Sequence, residues 1–281
     1  MPTYKNRPPM EPGAELRRYT SLRALEQMLR GRQLRLTRID QFRDPFEGSV
    51  PKQQIDDQVP IFSGYYHTQS MYTQLAAHPE MELPRRQYRD PWDMMTRRRK
   101  ALTVSVHASC WTAGAESEAM WRLYCNDDGQ GQGVALRSML EKVERSVQPL
   151  DLVVSPITYR LYHEGPAFND PLDPLLHKRL GFRCESEVRL LKVDEPHYNA
   201  LNSVLSWDST FGAPPAEPVE LPTHIYLPWD ARSVVDAITI SPYASAEYEQ
   251  RVRAAVASIA PDAAVLIELS VLSPHRYGAN F

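Results

Sequence analysis

Glu185, Glu187 and Arg189 occupy alternate positions of the run Glu185-Ser186-Glu187-Val188-Arg189. If that run is a strand, all three project from one face, with the carboxylates about 6 to 7 Å apart. Two carboxylates so close repel unless a cation or a ligand uses their charge, and Arg189 is the obvious neutraliser. The plain reading is an exposed salt-bridge ladder; the other is an acid pair whose charge a ligand uses. Two further motifs bear on the choice. Phe42-Arg43-Asp44-Pro45-Phe46-Glu47 adds two acids in a loop that Pro45 stiffens, by fixing its own φ and biasing Asp44 to extended backbone. Met120-Trp121-Arg122-Leu123-Tyr124 sets Trp121 and Tyr124 three apart, on one side of a helix, where they serve as core residues or stack on a planar ligand. The three motifs point to one composite polar site.

Other candidates carry less. Ser109-Cys110-Trp111-Thr112 closes a strand and resembles a nucleophile site, but no histidine stands nearby in sequence to activate Cys110. The eight histidines include no HExxH and no pair at ligand spacing, so no metal is expected. Arg97-Arg98-Arg99-Lys100 could meet phosphates, yet four successive charges point around a helix axis, and a solvated helix end is the plainer reading. Gly129, Gly131 and Gly133 mimic a dinucleotide loop, but they follow a helix and precede a strand, the reverse of the order that sets a phosphate on a helix N-terminus. A turn is expected there.

The elements that would position the site can be read from periodicity. Leu16 to Tyr19 is a short strand. Thr20 or Ser21 caps a helix with Leu22, Leu25, Met28 and Leu29 on one face and Gly31 at its end. Gln33 to Thr37 alternates Leu34 and Leu36 with polar residues and returns as a strand. From about Val50 to Lys100 the alternation is lost, which suggests a mostly helical insertion. Leu102 to Thr112 reads as a strand with Leu102, Val104, Val106, Ala108 and Cys110 on one face, followed by a helix over Ser117 to Tyr124. Further strands are expected at Val134 to Arg137, Leu152 to Tyr159, Glu185 to Val193, His224 to Leu227, Ala237 to Ser241 and Ala264 to Leu269. Ser245 caps a helix that aligns Tyr248, Val252, Val256 and Ile259. Strands outnumber long helices and do not alternate regularly with them, so the expected class is α+β: one domain over 1–281 with a mixed or largely antiparallel central sheet and flanking helices.

Bulk properties set limits. A formal charge of -3 argues against a whole-surface nucleic-acid binder. Three cysteines, Cys110, Cys125 and Cys184, are odd in number and fit reduced thiols. No run approaches the roughly 18 apolar residues that span a bilayer. The expectation is a cytoplasmic protein.

Taken in order, the motifs resemble a widespread bacterial family of uncharacterised function. Its pattern has an aromatic-Tyr start, an FNDPFE loop, a strand ending SC[FW], an MWxxY helix, a Gly-Val strand, a lysine before an ExExR strand, and a late I-x-I-[GS]-P strand. Here these are Arg18-Tyr19, Phe42 to Glu47, Ser109 to Trp111, Met120 to Tyr124, Gly133-Val134, Lys178, Glu185 to Arg189 and Ile238 to Pro242. Arg43 stands where the family has asparagine, and the stretch from about Val50 to Lys100 is outside the pattern.

Arg18, Ser109 and Glu185-x-Glu187 also resemble, more weakly, the R-S-E order of ADP-ribosyltransferases. That resemblance implies a split mixed sheet clamping NAD, used as substrate for transfer or glycohydrolysis by a toxin or defence effector. It implies that Arg18 pairs with the NAD phosphates, Ser109 orients Glu187, and Glu187 holds the ribose 2′-OH and stabilises an oxocarbenium-like transition state. Glu185 would position a protein or nucleic-acid acceptor. Tyr19, Trp121 and Tyr124 would line the ligand, with Asp44, Phe46, Glu47 and Arg189 closing the pocket. Two alternatives stay open. One is a nucleotide or nucleic-acid binding module using Arg35, Arg38 and Arg97 to Lys100. The other is a magnesium-dependent phosphodiester hydrolase using Asp44, Glu47, Glu185 and Glu187.

Overall fold

The computed structural model describes residues 7–56, 91–125, 131–161, 168–206, 215–261 and 266–273. The fold is α+β, with a mixed, mostly antiparallel central sheet flanked by helices. Most of the expected insertion lies outside the described residues; at its ends are α2 (Lys52–Asp56) and α3 (Pro91–Val104).

The opening is strand, helix, strand: β1 (Glu15–Thr20), α1 (Leu22–Gly31) and β2 (Gln33–Arg38). Ser21 caps α1 by accepting from Ala24 N at 3.0 Å. The helix runs through Gly31, and it is Arg32, at φ 46, that takes the left-handed conformation ending it. Leu22, Leu25, Met28 and Leu29 are buried on one stripe.

β3 (Val106–Ala113) is the pivot of the sheet. It starts later than its alternation suggests, because α3 continues through Leu102 and Val104. Positions four apart serve a helical stripe as well as a strand face, so the pattern did not distinguish the two. One edge of β3 is fully covered by β8 (Glu187–Val193), in register from Val106 opposite Val193 to Thr112 opposite Glu187. The other edge is shared. β1 pairs with its C-terminal end, at Thr112 and Ala113, while β2 pairs with its N-terminal end, at His107 and Ala108. Between them Ser109, Cys110 and Trp111 have no strand partner on that edge among the described residues, and the sheet forks.

One arm continues from β1 to β4 (Val134–Met139), β10 (Ala237–Ile240) and, in parallel, β11 (Ile267–Leu269). The other continues from β2 to β9 (His224–Pro228). The strand expected over Leu152 to Tyr159 is two strands: β5 (Val153–Pro156) pairs with β8, and β6 (Thr158–Arg160) pairs with β7 (His177–Arg179) in a small separate sheet. Ile157, between them, gives its N–H to Glu187 O instead, at 2.8 Å.

One face of the sheet packs against α1, α5 (Leu140–Val147) and α8 (Ala246–Ile259), burying Leu16, Leu34, Trp111, Leu136, Leu190 and Val252 in the main core. Ser245 caps α8 as expected, accepting from Tyr248 N at 3.1 Å. A second cluster on the opposite face includes Ile39, Val106, Ala108 and Leu191. No helix among the described residues is long and apolar enough to cross a membrane.

Candidate functional site

The run from Glu185 to Arg189 is not one strand. Glu185 ends a 3-10 helix over Leu180–Glu185, Ser186 takes a left-handed turn at φ 40, and β8 starts at Glu187. Glu187 and Arg189 share a face, as period two requires. Glu185 approaches from the turn. The bend lets both glutamates reach one ammonium: Lys178, on β7, is 2.7 Å from Glu185 Oε2 and 2.6 Å from Glu187 Oε2.

Arg189 joins a third acid to the pair. Its Nε donates to Glu187 at 2.7 Å, and its Nη1 and Nη2 grip Glu47 at 2.8 and 2.7 Å. A further N–H goes to Leu175 O at 2.7 Å. Arg189 is fully buried, and Glu47, Glu185, Glu187 and Lys178 nearly so. Three carboxylates against two cations leave the cluster formally one negative charge in excess. Two neutral donors soften that excess: Tyr124 OH donates to Glu185 at 2.9 Å, and the Cys110 thiol hydrogen-bonds Glu187.

Titration follows from this geometry. Burial alone would raise the Glu187 carboxyl, but Arg189 and Lys178 overcome it and hold the pKa at about 2. Burial pushes the Cys110 thiol well up, and the Glu187 charge adds to the effect. Burial and then Glu185 raise the Tyr124 phenol. Lys178 is raised, since the glutamates outweigh the desolvation of its ammonium.

The proline-containing loop delivers Glu47 as its sequence suggests. Asp44 accepts from Phe46 N at 3.0 Å and from Arg179 at 2.9 Å, and Glu47 N closes a turn onto Asp44 O. The Arg179 guanidinium lies 4.2 Å from the centre of the Phe46 ring. Arg99, from the basic run expected at a solvated helix end, instead clasps the loop, donating to Glu47 O at 2.8 Å and to Pro45 O. Gly48 then turns at φ 69.

Several expected site residues lie elsewhere. Ser109 alternates with Cys110 along β3, so its side chain lies on the main-core face with Trp111, opposite Glu187. Its hydroxyl is buried and has no partner among the described residues. Cys110, not Ser109, meets Glu187. Tyr19 and Trp121 are core residues, packed edge to face at 4.8 Å; Trp121 is fully buried and donates to Glu116 at 3.3 Å. Tyr124, 46% exposed, is the aromatic of its helix that reaches the acids.

Arg18 lies in the fork. Its Nη2 donates to Arg35 O at 3.3 Å, while Nη1 is buried with no partner among the described residues. Burial lowers its pKa to about 10; the Cys110 sulphur acts against that and the nearby Arg35 cation adds to it. Cys110 is thus within electrostatic reach of both Arg18 and Glu187. A cavity of about 460 Å3 opens beside Arg18, bounded by β1, α1, β2 and Tyr226 of β9. Tyr226 is not among the residues expected from sequence, and Arg35 is expected only as a contact of the nucleotide or nucleic-acid binding alternative. The signal available was the alternation in β2 that leaves Arg35 on its polar side.

No protein-family model, curated protein or solved structure matches the chain.

Proposed function

We propose that this protein uses NAD, as an ADP-ribosyltransferase or NAD glycohydrolase. The observation that carries the reading is the forked sheet: β1 and β2 separate along one edge of β3, Arg18 reaches across the fork to Arg35 O, and Cys110 is within electrostatic reach of both Arg18 and Glu187. In this reading the Arg18 guanidinium, which has a buried N–H to give, takes the diphosphate by charge-assisted hydrogen bonds. Glu187, ionised down to about pH 2, presents a full negative charge at any physiological pH. It hydrogen-bonds the ribose 2′-OH and stabilises the oxocarbenium-like transition state as the bond from ribose to nicotinamide breaks. Glu185, held by Lys178 and Tyr124, positions water or an acceptor. The bacterial family that the motifs resemble would share this site. Its biological setting would be a toxin or defence effector acting in the cytoplasm.

A second reading, nucleotide binding without turnover, is favoured by one observation: both Glu187 oxygens are already engaged by Arg189 and Lys178. The magnesium hydrolase fits less well, because the Lys178 ammonium holds the place among three carboxylates that a divalent cation would need.

Nicotinamide release from NAD decides between these readings. Glu187→Gln removes one carboxylate charge and leaves two acids against two cations, so the variant is expected to fold; thermal melting checks this. Release by wild type that falls more than about a hundredfold in the variant, near 2.7 kcal/mol of transition-state stabilisation, supports the enzyme. A folded wild type that neither releases nicotinamide nor binds NAD refutes it. Release abolished by a chelator would revive the magnesium reading.

A further inference from the structure

The cavity beside Arg18 holds more positive charge than the NAD reading uses. Three arginines line it: Arg18 from β1, Arg30 from α1 and Arg35 from β2, with Thr20 and Thr37 between them. No carboxylate is among the lining residues. Arg18 and Arg35 come close enough for their charges to repel. Each also keeps a buried guanidinium N–H, Arg18 Nη1 and Arg35 Nε, that meets no acceptor among the described residues.

Like charges held close together, with two buried N–H groups short of acceptors, are costly. An anion whose oxygens accept from both guanidiniums would relieve the repulsion and the missing hydrogen bonds together. A diphosphate diester brings two negative charges spread over two phosphorus centres. A phosphate monoester concentrates nearly two on three terminal oxygens, which suits a pair of forked donors better.

The cavity has a second character at its rim. Tyr226, on β9, lines the cavity and is 51% exposed, which leaves an aromatic side chain accessible to a planar group. Two residues back on the same strand, His224 fixes the guanidinium. Its Nδ1 donates to Thr223 O at 2.5 Å, which leaves Nε2 to accept from Arg35 Nη2. Arg35 is thereby held with its Nε edge free.

We propose that the cavity between β1, α1 and β2 is a binding site for a nucleoside phosphate monoester, with Arg35 and Arg18 gripping the phosphate, Arg30 at the mouth and Tyr226 under the base. The inference rests on the cavity and needs no chemistry at Glu187.

The test is equilibrium binding, by calorimetry and thermal shift, of adenosine 5′-monophosphate, inorganic phosphate and adenosine to wild type, Arg35→Gln and Tyr226→Ala. The monophosphate should bind more than about a hundredfold tighter than adenosine, and its affinity should fall as salt rises. Arg35→Gln should weaken both phosphate-bearing probes by about 10- to 100-fold, the range expected for a hydrogen bond to a charged group. Tyr226→Ala should weaken the monophosphate and leave inorganic phosphate unchanged; equal weakening of both would remove the base platform and overturn the nucleoside part. Equal affinity for adenosine and its monophosphate, or indifference to Arg35→Gln in a folded protein, overturns the site. So does binding confined to 5′-phosphorylated single-stranded oligonucleotides, which would make the groove a nucleic-acid contact. Nicotinamide release without monophosphate binding defeats this inference alone, and monophosphate binding without release defeats the NAD reading alone.

Discussion

Replacing Arg189 by methionine should cost about 3 to 5 kcal/mol of folding free energy, the range for removing one partner from a buried ion pair. The side chain is fully buried and makes four hydrogen bonds of 2.7 to 2.8 Å, three to glutamates and one to a backbone carbonyl. Methionine fills much of the same volume but makes none of them. Glu47 and Glu187 are then left to share Lys178 with Glu185. Part of this stability depends on pH, because Arg189 and Lys178 together hold the Glu187 carboxyl at about 2, below its ordinary 4.5. Because the folded pKa is depressed, that contribution is complete above pH 4.5 and is lost as the pH falls toward 2. Without Arg189 the Glu187 carboxyl must titrate higher, so the variant loses less on acidification. Urea unfolding of both proteins at about pH 7, 5 and 3 reads the difference. The gap should be largest at neutral pH and should shrink in acid. A neutral-pH loss below about 1 kcal/mol, the level of an exposed pair, would refute the view that these charges act as a buried unit. A gap unchanged between pH 7 and 3 would refute the assignment of its energy to ionised carboxylates.

Three further outcomes are expected. Arg18→Met should stabilise the unliganded protein by about 1 to 2 kcal/mol, since it removes a half-buried guanidinium whose buried N–H has no acceptor among the described residues, while abolishing binding in the cavity; a lower melting temperature would contradict this. Alkylation with iodoacetamide near pH 8 should label exposed Cys184 at least about tenfold faster than Cys110, whose thiol is held protonated by burial and Glu187; mass mapping of the labelled peptides gives the ratio. Gly48→Ala should cost about 2 kcal/mol or more, because φ is 69 and the new Cβ would lie 2.6 Å from Thr103 Cγ2. Adding Thr103→Ser, which deletes that methyl, should restore the steric part and leave the strain, as a double-mutant melting comparison would reveal.

Much of this site was legible in residue types. The proline-stiffened loop, the alternate charges and the tyrosine of the short helix do converge on one polar cluster, and Lys178 was noted in its place before the acids. What the sequence could not supply was how they converge. Period two placed Glu185 beside Glu187 on a strand, but the left-handed Ser186 sends it round a turn, a conformation that a serine does not announce. The order Arg18, Ser109, Glu187 suggested a serine that orients a glutamate. Alternation along β3 rules this out, since Ser109 and Cys110 point to opposite faces and register with β8 decides which one meets the acid. Tyr19 and Trp121 have the composition of a ligand platform, and only packing reveals that each covers the other. The fork was invisible for a related reason: sharing of one strand edge by two partners is a property of pairing, which no local pattern encodes.

The ion cluster also has a temporal side. Arg189 and Glu47 are separated by 142 positions, and Tyr124 and Glu185 by 61, so these contacts close long loops, while Lys178–Glu185 and Arg189–Glu187 are local. Contacts absent from the folding transition state put their strength into the barrier against escape. The long-range pairs are expected to act as a latch of this kind: removing them should leave the folding rate nearly unchanged and speed unfolding, which stopped-flow kinetics of Arg189→Met would measure.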